Sequence, residues 1–392
     1  MVSFNSTEIA FSIKSNRELN KAYWLFLAIS NRTLVKIGGY LSKLAINIHF
    51  PIKWIVKPTI YSHFCGGETI KDCIPTVYKL SRYNIRSVLD YSVEGKEDPA
   101  EIQAALEETL RTIENAANNE FIPFAVFKPT AFAINEVLEK KSAGEPLSPE
   151  QEKEADKFRD RIDTLCQKAY ELWVPIMVDA EDYCFQNFID EVVMEMMIKY
   201  NRNKTIVYNT YQMYRRDRMD VFHTHLKTAN NNDFYLGIKF VRGAYMEKER
   251  ERAERLGYPS PIYPDKERTD KAFDNALTLA VENIDRVSIF NGTHNEQSCL
   301  HLTQLMEKFN IPKNDPRCYF SQLYGMSDHI SFNLAHEGYN VTKYLPYGPV
   351  RSVLPYLIRR TEENTSIAGQ TNREMKMITR ERKRRKSSKL AK

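Results

Sequence analysis

No two of the six cysteines in this 392-residue chain form a C-x-x-C pair. Cys65, Cys73, Cys166, Cys184, Cys299 and Cys318 are scattered, which argues against a disulfide framework in so large a chain and against a thiolate metal site. Reduced thiols and a reducing compartment are the expectation. His223 and His225 have no third ligand in view and H-E-x-x-H is absent, so no metal is expected. A G-x-G-x-x-G fingerprint is missing as well, which removes the usual dinucleotide-binding open sheet. Long apolar runs are also lacking: the longest, Ala22 to Ile29, is too short to cross a bilayer. The start carries Glu8 and has no compact apolar stretch behind a charged one, unlike a secretory signal. It is neither Arg-rich nor acid-poor, unlike a mitochondrial presequence, so a bacterial cytoplasmic setting is expected.

Acid is what two segments lack. Leu19 to Gly67 carries six Lys/Arg and no Asp or Glu, and Arg380 to Lys392 carries eight Lys/Arg and one acid. The formal net charge of +5 therefore comes from these two segments, and the rest of the chain is mildly acidic. The end from Gln370, polar and strongly basic, is expected to be disordered. It has no interleaved aromatics, so nucleic acid is not an expected partner. An anionic membrane surface fits the basic segments better, with peripheral attachment at the inner face of the cytoplasmic membrane.

What is present is an ordinary globular composition, 42% hydrophobic and 27% charged, with enough length for a large core. Residues 1–84 carry helical periodicity, over Arg17 to Ile29 and again over Leu34 to Ile48, and Thr69 or Asp72 can start a further helix. This segment is expected to be a helical cap. From residue 85 apolar runs recur at Ser87–Asp90, Phe121–Phe127, Pro175–Val178, Thr205–Tyr208, Leu236–Val241, Val287–Phe290, Cys318–Gln322 and Val341–Leu345. Helical patterns fill most of the gaps, and strands alternating with helices imply parallel pairing. Residues 138–157 look like an exposed, charged insertion. The pattern predicts an α/β fold, a (β/α)8 TIM-like barrel over residues 85–369 with an N-terminal helical segment and its last helix over the barrel mouth.

Barrel enzymes place their chemistry at the C-terminal ends of the strands. Those ends carry Asp90, Lys128, Asp179, Asn209, Lys239 with Arg242, Thr293 with His294, Gln322 and Tyr344. Charged and polar groups gathered there point to a ligand. After the last strand, Tyr356, Arg359, Arg360 and Glu363 follow at i, i+3, i+4 and i+7, on one helix face, with Ser352 as the expected N-cap and Pro355 in the first turn. Paired guanidinium forks suit a small carboxylate, although Arg359 and Glu363 also have the spacing of a solvated ion pair.

Tyr344-Leu-Pro-Tyr-Gly-Pro, Tyr356-Leu-Ile-Arg359-Arg360, Glu363-Asn364 and Ser366-Ile-Ala-Gly369 resemble the C-terminal signature of the proline dehydrogenase family. Lys239-Phe-Val-Arg-Gly-Ala-Tyr245, Val178-Asp-Ala-Glu181 and Thr293-His-Asn295 match further motifs of that family in the same order, so that the resemblance spans residues 60–370. It implies a monofunctional bacterial-type enzyme that oxidises L-proline to 1-pyrroline-5-carboxylate with non-covalent FAD and passes the electrons to a membrane quinone. By the resemblance, Arg359, Arg360 and Lys128 bind the proline carboxylate, Asp179 steadies these cations, and Tyr245, Leu323, Tyr344 and Tyr356 surround the ring. Asn209, Lys239, Val241, Arg242, Gly243, Ala244, Thr293, His294, Asn295, Gln322 and Glu363 fall at flavin-side positions, and Arg359 pairs with Glu94 as a gate. Gly243-Ala244 would let a bulky ligand approach the backbone. Lys239 stands where many bacterial relatives have Arg, which keeps the charge and loses the planar fork. The alternatives are a barrel flavoenzyme for hydroxyproline, or a membrane- or nucleic-acid-binding protein that uses the basic tail.

Overall fold

A computed structural model of the chain describes residues 2–31, 33, 53–93, 97–366 and 368–390. Its strands are β1 (Ile85–Tyr91), β2 (Ala125–Phe127), β3 (Ile176–Val178), β4 (Val207–Gln212), β5 (Leu236–Val241), β6 (Val287–Gly292), β7 (Cys318–Leu323) and β8 (Val341–Tyr347). They form one eight-stranded sheet in the order β1-β8-β7-β6-β5-β4-β3-β2, the order of a (β/α)8 barrel opened between its first two strands. The registered pairs are parallel, with Val178 opposite Asn209, Asn209 opposite Ile238 and Lys239 opposite Phe290. Every apolar run singled out in the sequence overlaps a strand. Several strands run further than their apolar cores: β4 continues to Gln212 and β6 to Gly292.

The chain divides into two compact units, residues 1–94 with 322–392, and residues 95–321. In the second unit strand alternation sorts the side chains. Phe124, Tyr208, Phe290 and Tyr319 meet edge to face on one side of the sheet, with ring centroids 4.9–5.5 Å apart. Tyr211 and Phe240 point the other way, onto Phe222 of the helix Arg218–Asn232. That outer layer also holds a buried ion pair, Arg218 to Asp190 at 2.5 Å, on helices Arg218–Asn232 and Tyr183–Tyr200. The stretch 138–157 is not an open insertion. It spans the junction of helices Asn135–Ala143 and Pro149–Glu171, where Gly144 at φ 71 closes one helix and Ser148 caps the next. Leu138 and Ala155 are fully buried there, so its charges occupy the outer faces of real helices.

In the first unit β1 pairs with β8 from Ile85–Val341 to Tyr91–Tyr347. Helix Asn16–Ile29 opens on a Ser15–Glu18 capping box, and helix Ile70–Ser81 on one made by Thr69 and Asp72. The Leu34–Ile48 repeat lies outside the described residues. Residues 368–390 are not disordered: they form the helix Ala368–Leu390. Met377 and Ile378 enter a core with Leu19, Ala22, Phe26, Val353, Leu354 and Leu357. Fully buried Glu381 accepts from Arg384 and Arg385, Arg385 donates to the carbonyls of Phe11 and Lys14, and Arg382 lies 3.9 Å from the Tyr23 ring centroid. Composition alone hides this, because the apolar residues are few while the charges meet partners on the N-terminal helices.

The helix that carries the arginine pair, Val350–Ser366, begins earlier than its sequence indicates. Ser352 is not its N-cap. The amides of Ser352 and Val353 already donate to Pro349, at 2.9 and 3.1 Å, and Pro355 sits inside the helix. The price is one missing N–H, which Pro355 cannot supply.

Candidate functional site

In the 95–321 unit the ends of β2, β3, β4 and β5 bring charged and polar groups together. Asp179, just past β3, bridges two lysines: Lys239 Nζ lies 2.5 Å from Oδ1 and Lys128 Nζ 3.5 Å from Oδ2. Lys239 is buried on β5, on the face opposite Phe240, so its ammonium has a carboxylate partner in a place where an unpaired cation would be costly. Next to this triad lies Glu181. Its carboxylate accepts from the Thr130 hydroxyl at 2.7 Å and from the Tyr245 hydroxyl at 3.0 Å. Burial pushes the Glu181 carboxyl up to about 7, and the Thr130, Lys128 and Tyr245 contacts offset only part of that rise.

Arg242, after β5, is held from three sides. It donates to Asp270 at 2.8 Å, to Thr293 at 2.6 Å and to Ser298 at 2.9 Å, and stacks 4.4 Å from the Phe273 ring centroid. Such a guanidinium is fixed in orientation before any ligand arrives. The neighbouring glycine does something other than make room for a ligand. Gly243 has φ 127, and a side chain there would run into the Tyr214 ring, so the glycine admits Tyr214. Ala244, next to it, is exposed, and Val241, two residues before it, is half-buried.

Asn209 is a correction. Its amide donates to Asp190 at 2.9 Å and its oxygen accepts from the Thr210 amide. It thus shares the Tyr211 face, towards the helices, away from the cluster of Asp179, Glu181 and Lys239. The sequence stops the strand at Tyr208 and so takes Asn209 for its end; β4 goes on to Gln212. Gln212 is the residue that reaches the site. Its Nε2 donates to the Glu181 carbonyl at 3.0 Å, and its Oε1 is buried with no hydrogen-bond partner among the described residues. Period-two counting back from the true strand end was the signal that finds it.

Asn295 is also committed elsewhere: its side chain caps helix Glu296–Lys308, accepting from Gln297 and Ser298. Thr293 is buried and accepts from Arg242 and from the Asn295 amide, and His294 is half-buried beside it. Thr130, Gln212, Asp270 and Ser298 are site residues that the sequence reasoning missed.

In the other unit, Tyr344 on β8 is buried, as is Tyr356 on the helix Val350–Ser366. Arg360 lies 5.2 Å from the Tyr356 ring centroid, and Arg359 and Arg360 are both half-buried. The spacing read from the sequence therefore does place an aromatic ring and a guanidinium on one helix face. Gln322, near the end of β7, is a second departure from the sequence-based choice. It alternates with Tyr319 and Ser321, so it faces the helix Asp328–His336, where it is buried and accepts from Ser331 at 2.7 Å, with half-buried Leu323 next to it. Glu94 and the side chain of Glu363 lie outside the described residues. Among the described residues there is no cluster of His, Cys, Asp or Glu suited to a metal ion, and no helix long and apolar enough to cross a membrane.

Comparison with known proteins places these residues in a family. The chain is 34% identical to the mitochondrial proline dehydrogenase 1 of Dictyostelium discoideum over 379 residues, covering 86% of this chain and 66% of that protein. It is 34% identical to the carbapenem antibiotics biosynthesis protein CarD of Pectobacterium carotovorum, covering 83% of this chain and 84% of that one. A hydroxyproline dehydrogenase of Xenopus laevis is 32% identical, with 96% and 88% covered. Among solved structures, proline utilization A of Bdellovibrio bacteriovorus superposes with a TM-score of 0.73 at 21% identity, over 92% of this chain and 38% of that one, a likeness of fold. This chain thus spans about two thirds of the Dictyostelium protein and well under half of the Bdellovibrio one. The family model described as proline dehydrogenase matches residues 73–373, and the chain belongs to the proline dehydrogenase family.

Proposed function

We propose that this chain oxidises L-proline to 1-pyrroline-5-carboxylate with FAD as its cofactor and a quinone as the electron acceptor. The observation that carries the cofactor is Gln212: a buried amide oxygen without a donor, at the strand ends beside Asp179 and Glu181, is what the ring N–H of a flavin would satisfy. Lys239 supports the same assignment as a fixed cation, since positive charge near a flavin ring stabilises the reduced form. Arg242, braced by Asp270, Thr293 and Ser298, adds an oriented set of donors. The bound flavin would supply the two-electron acceptor for the hydride leaving the ring carbon next to nitrogen; the nitrogen's proton goes to solvent and a C=N bond forms.

The residues of the chain bind and orient. Arg359 and Arg360 hold the carboxylate through charge-assisted bonds, with Lys128 as a further cation steadied by Asp179. Tyr245, Leu323, Tyr344 and Tyr356 enclose the ring. Val241, Ala244, Thr293 and His294 stay on the flavin side of this assignment; Asn209 and Gln322, which face the helices, give way to Gln212. The amine must be unprotonated, because a cationic nitrogen cannot push out hydride.

The likeness to a hydroxyproline dehydrogenase makes 4-hydroxyproline the rival substrate. Buried Tyr344 favours proline: an added hydroxyl against it would lose water without gaining a partner, at a cost of about 1–3 kcal/mol. The test is turnover by purified protein with a short-chain quinone, comparing both imino acids and identifying the product. Pyrroline-5-carboxylate formed faster from proline supports the assignment. Equal kcat/KM for the two substrates contradicts the role of Tyr344, and no turnover of either contradicts the reaction.

A further inference from the structure

Glu181 has every polar group engaged, and each partner comes from a different part of the 95–321 unit. Its N–H donates to Gln186 of the helix Tyr183–Tyr200 at 2.8 Å, and its carbonyl accepts from Gln212 at the end of β4. One carboxylate oxygen accepts from Thr130 in the turn after β2, the other from Tyr245 in the loop after β5. At 6% exposure these bonds meet little competition from water. An ionised carboxylate accepts from both hydroxyls at full strength, one at each oxygen. Once protonated, one of its oxygens becomes a donor, and one of the two hydroxyls has to turn round or let go.

We propose that Glu181 is a positioning residue: its ionised carboxylate holds the Tyr245 ring and the Thr130 hydroxyl in place for the site, and uptake of a proton there releases the hold on Tyr245. The charged and titratable groups that act on it are Lys128 from the β2 turn, Asp179 from its own loop and the Tyr245 hydroxyl from the β5 loop; Lys239 bears on it through Asp179. Lys128 favours the carboxylate and Asp179 opposes it. Burial outweighs the favourable contacts and leaves the group titrating at about 7. The switch therefore operates at neutral pH. Its consequence for turnover rests on the proline-oxidation assignment; the hold on Tyr245 stands apart from it.

The experiment uses the full-length protein labelled with 13C at the tyrosine ring carbon that bears the hydroxyl. The signal missing from Tyr245→Phe belongs to Tyr245. In the wild-type protein that signal moves with a midpoint near neutral pH. In Glu181→Gln, whose amide, like the protonated acid, sets a donor group beside an acceptor oxygen and does not titrate, it stays constant. In parallel, log kcat/KM for proline, which already rises with pH as free amine becomes available, falls more steeply below the same midpoint in the wild type, and Glu181→Gln follows the amine limb alone, without that extra break, at the lower level. The amine of proline titrates far above neutrality, so its own limb remains in both proteins. A Tyr245 signal that titrates identically in Glu181→Gln, or one that does not move through neutral pH in the wild type, overturns the proposal. So does a Glu181→Gln profile that keeps the wild-type break and is merely lower throughout, the behaviour of a structural residue. A Tyr245 signal that behaves as expected in a protein that turns over no proline supports the positioning role and refutes the reaction.

Discussion

At the scale of single residues, Arg360 carries the substrate assignment and Gln212 the cofactor assignment. Arg360 on helix Val350–Ser366 is assigned to the proline carboxylate. Arg360→Met should lower kcat/KM for proline roughly 10- to 100-fold, the loss of a charge-assisted bond worth about 1.5–3 kcal/mol, and most of it should show in KM. Wild-type kcat/KM in that variant would contradict the assignment. Gln212 and Asn209 separate a site residue from a structural one on the same strand. Gln212→Leu should yield folded protein that retains much less flavin through purification. Asn209→Leu should keep its flavin and lose thermal stability, because buried Asp190 then loses a donor. The opposite pattern would restore the sequence-based choice of Asn209. That choice went astray for a local reason: the apolar run of β4 ends at Tyr208 while its ladder runs on to Gln212, and one residue of error in a strand turns a side chain to the other face. Lys128, Asp179 and Lys239 were legible because charge at strand ends is unusual, whereas their mutual pairing and the braces on Arg242 depend on neighbours far apart in sequence.

At the scale of elements, the strands were plain because apolar, β-branched runs recur at barrel spacing, and apolar periodicity marked helix Asn16–Ile29 while Thr69 marked the start of Ile70–Ser81. The C-terminal helix was not legible. Its sequence is basic nearly throughout, and what makes it a folded element is burial of Met377 and Ile378 and the docking of Arg385 on the carbonyls of Phe11 and Lys14. Tertiary partners override composition here, since charge repels only until it finds acceptors. Met377→Ala should therefore destabilise the protein by about 2–5 kcal/mol in denaturant unfolding, in the range of other buried truncations. An unchanged unfolding midpoint would mean that the helix contributes nothing and that the sequence-based expectation of a disordered end was right.

At the scale of the whole molecule, charge is segregated, and the ordered C-terminal helix gives that segregation a shape. Arg380, Lys383 and Lys386 are exposed on it, and in the same unit Trp24 and Trp54 stand 63% and 85% exposed. Were the quinone met at an anionic membrane surface, each of these basic groups would contribute about 1 kcal/mol to binding there within a Debye length. Charge reversal of Arg380, Lys383 and Lys386 together should abolish flotation with anionic vesicles at low salt. Binding to neutral vesicles just as well, or binding indifferent to salt, would remove the electrostatic argument. The central claim is more direct, that proline reduces a flavin held by this chain. Purified protein titrated with L-proline in the absence of oxygen should be yellow at the start and should bleach, with pyrroline-5-carboxylate formed one for one with reduced flavin. A folded protein that binds no flavin, or a bound flavin whose spectrum proline leaves unchanged, would contradict the account.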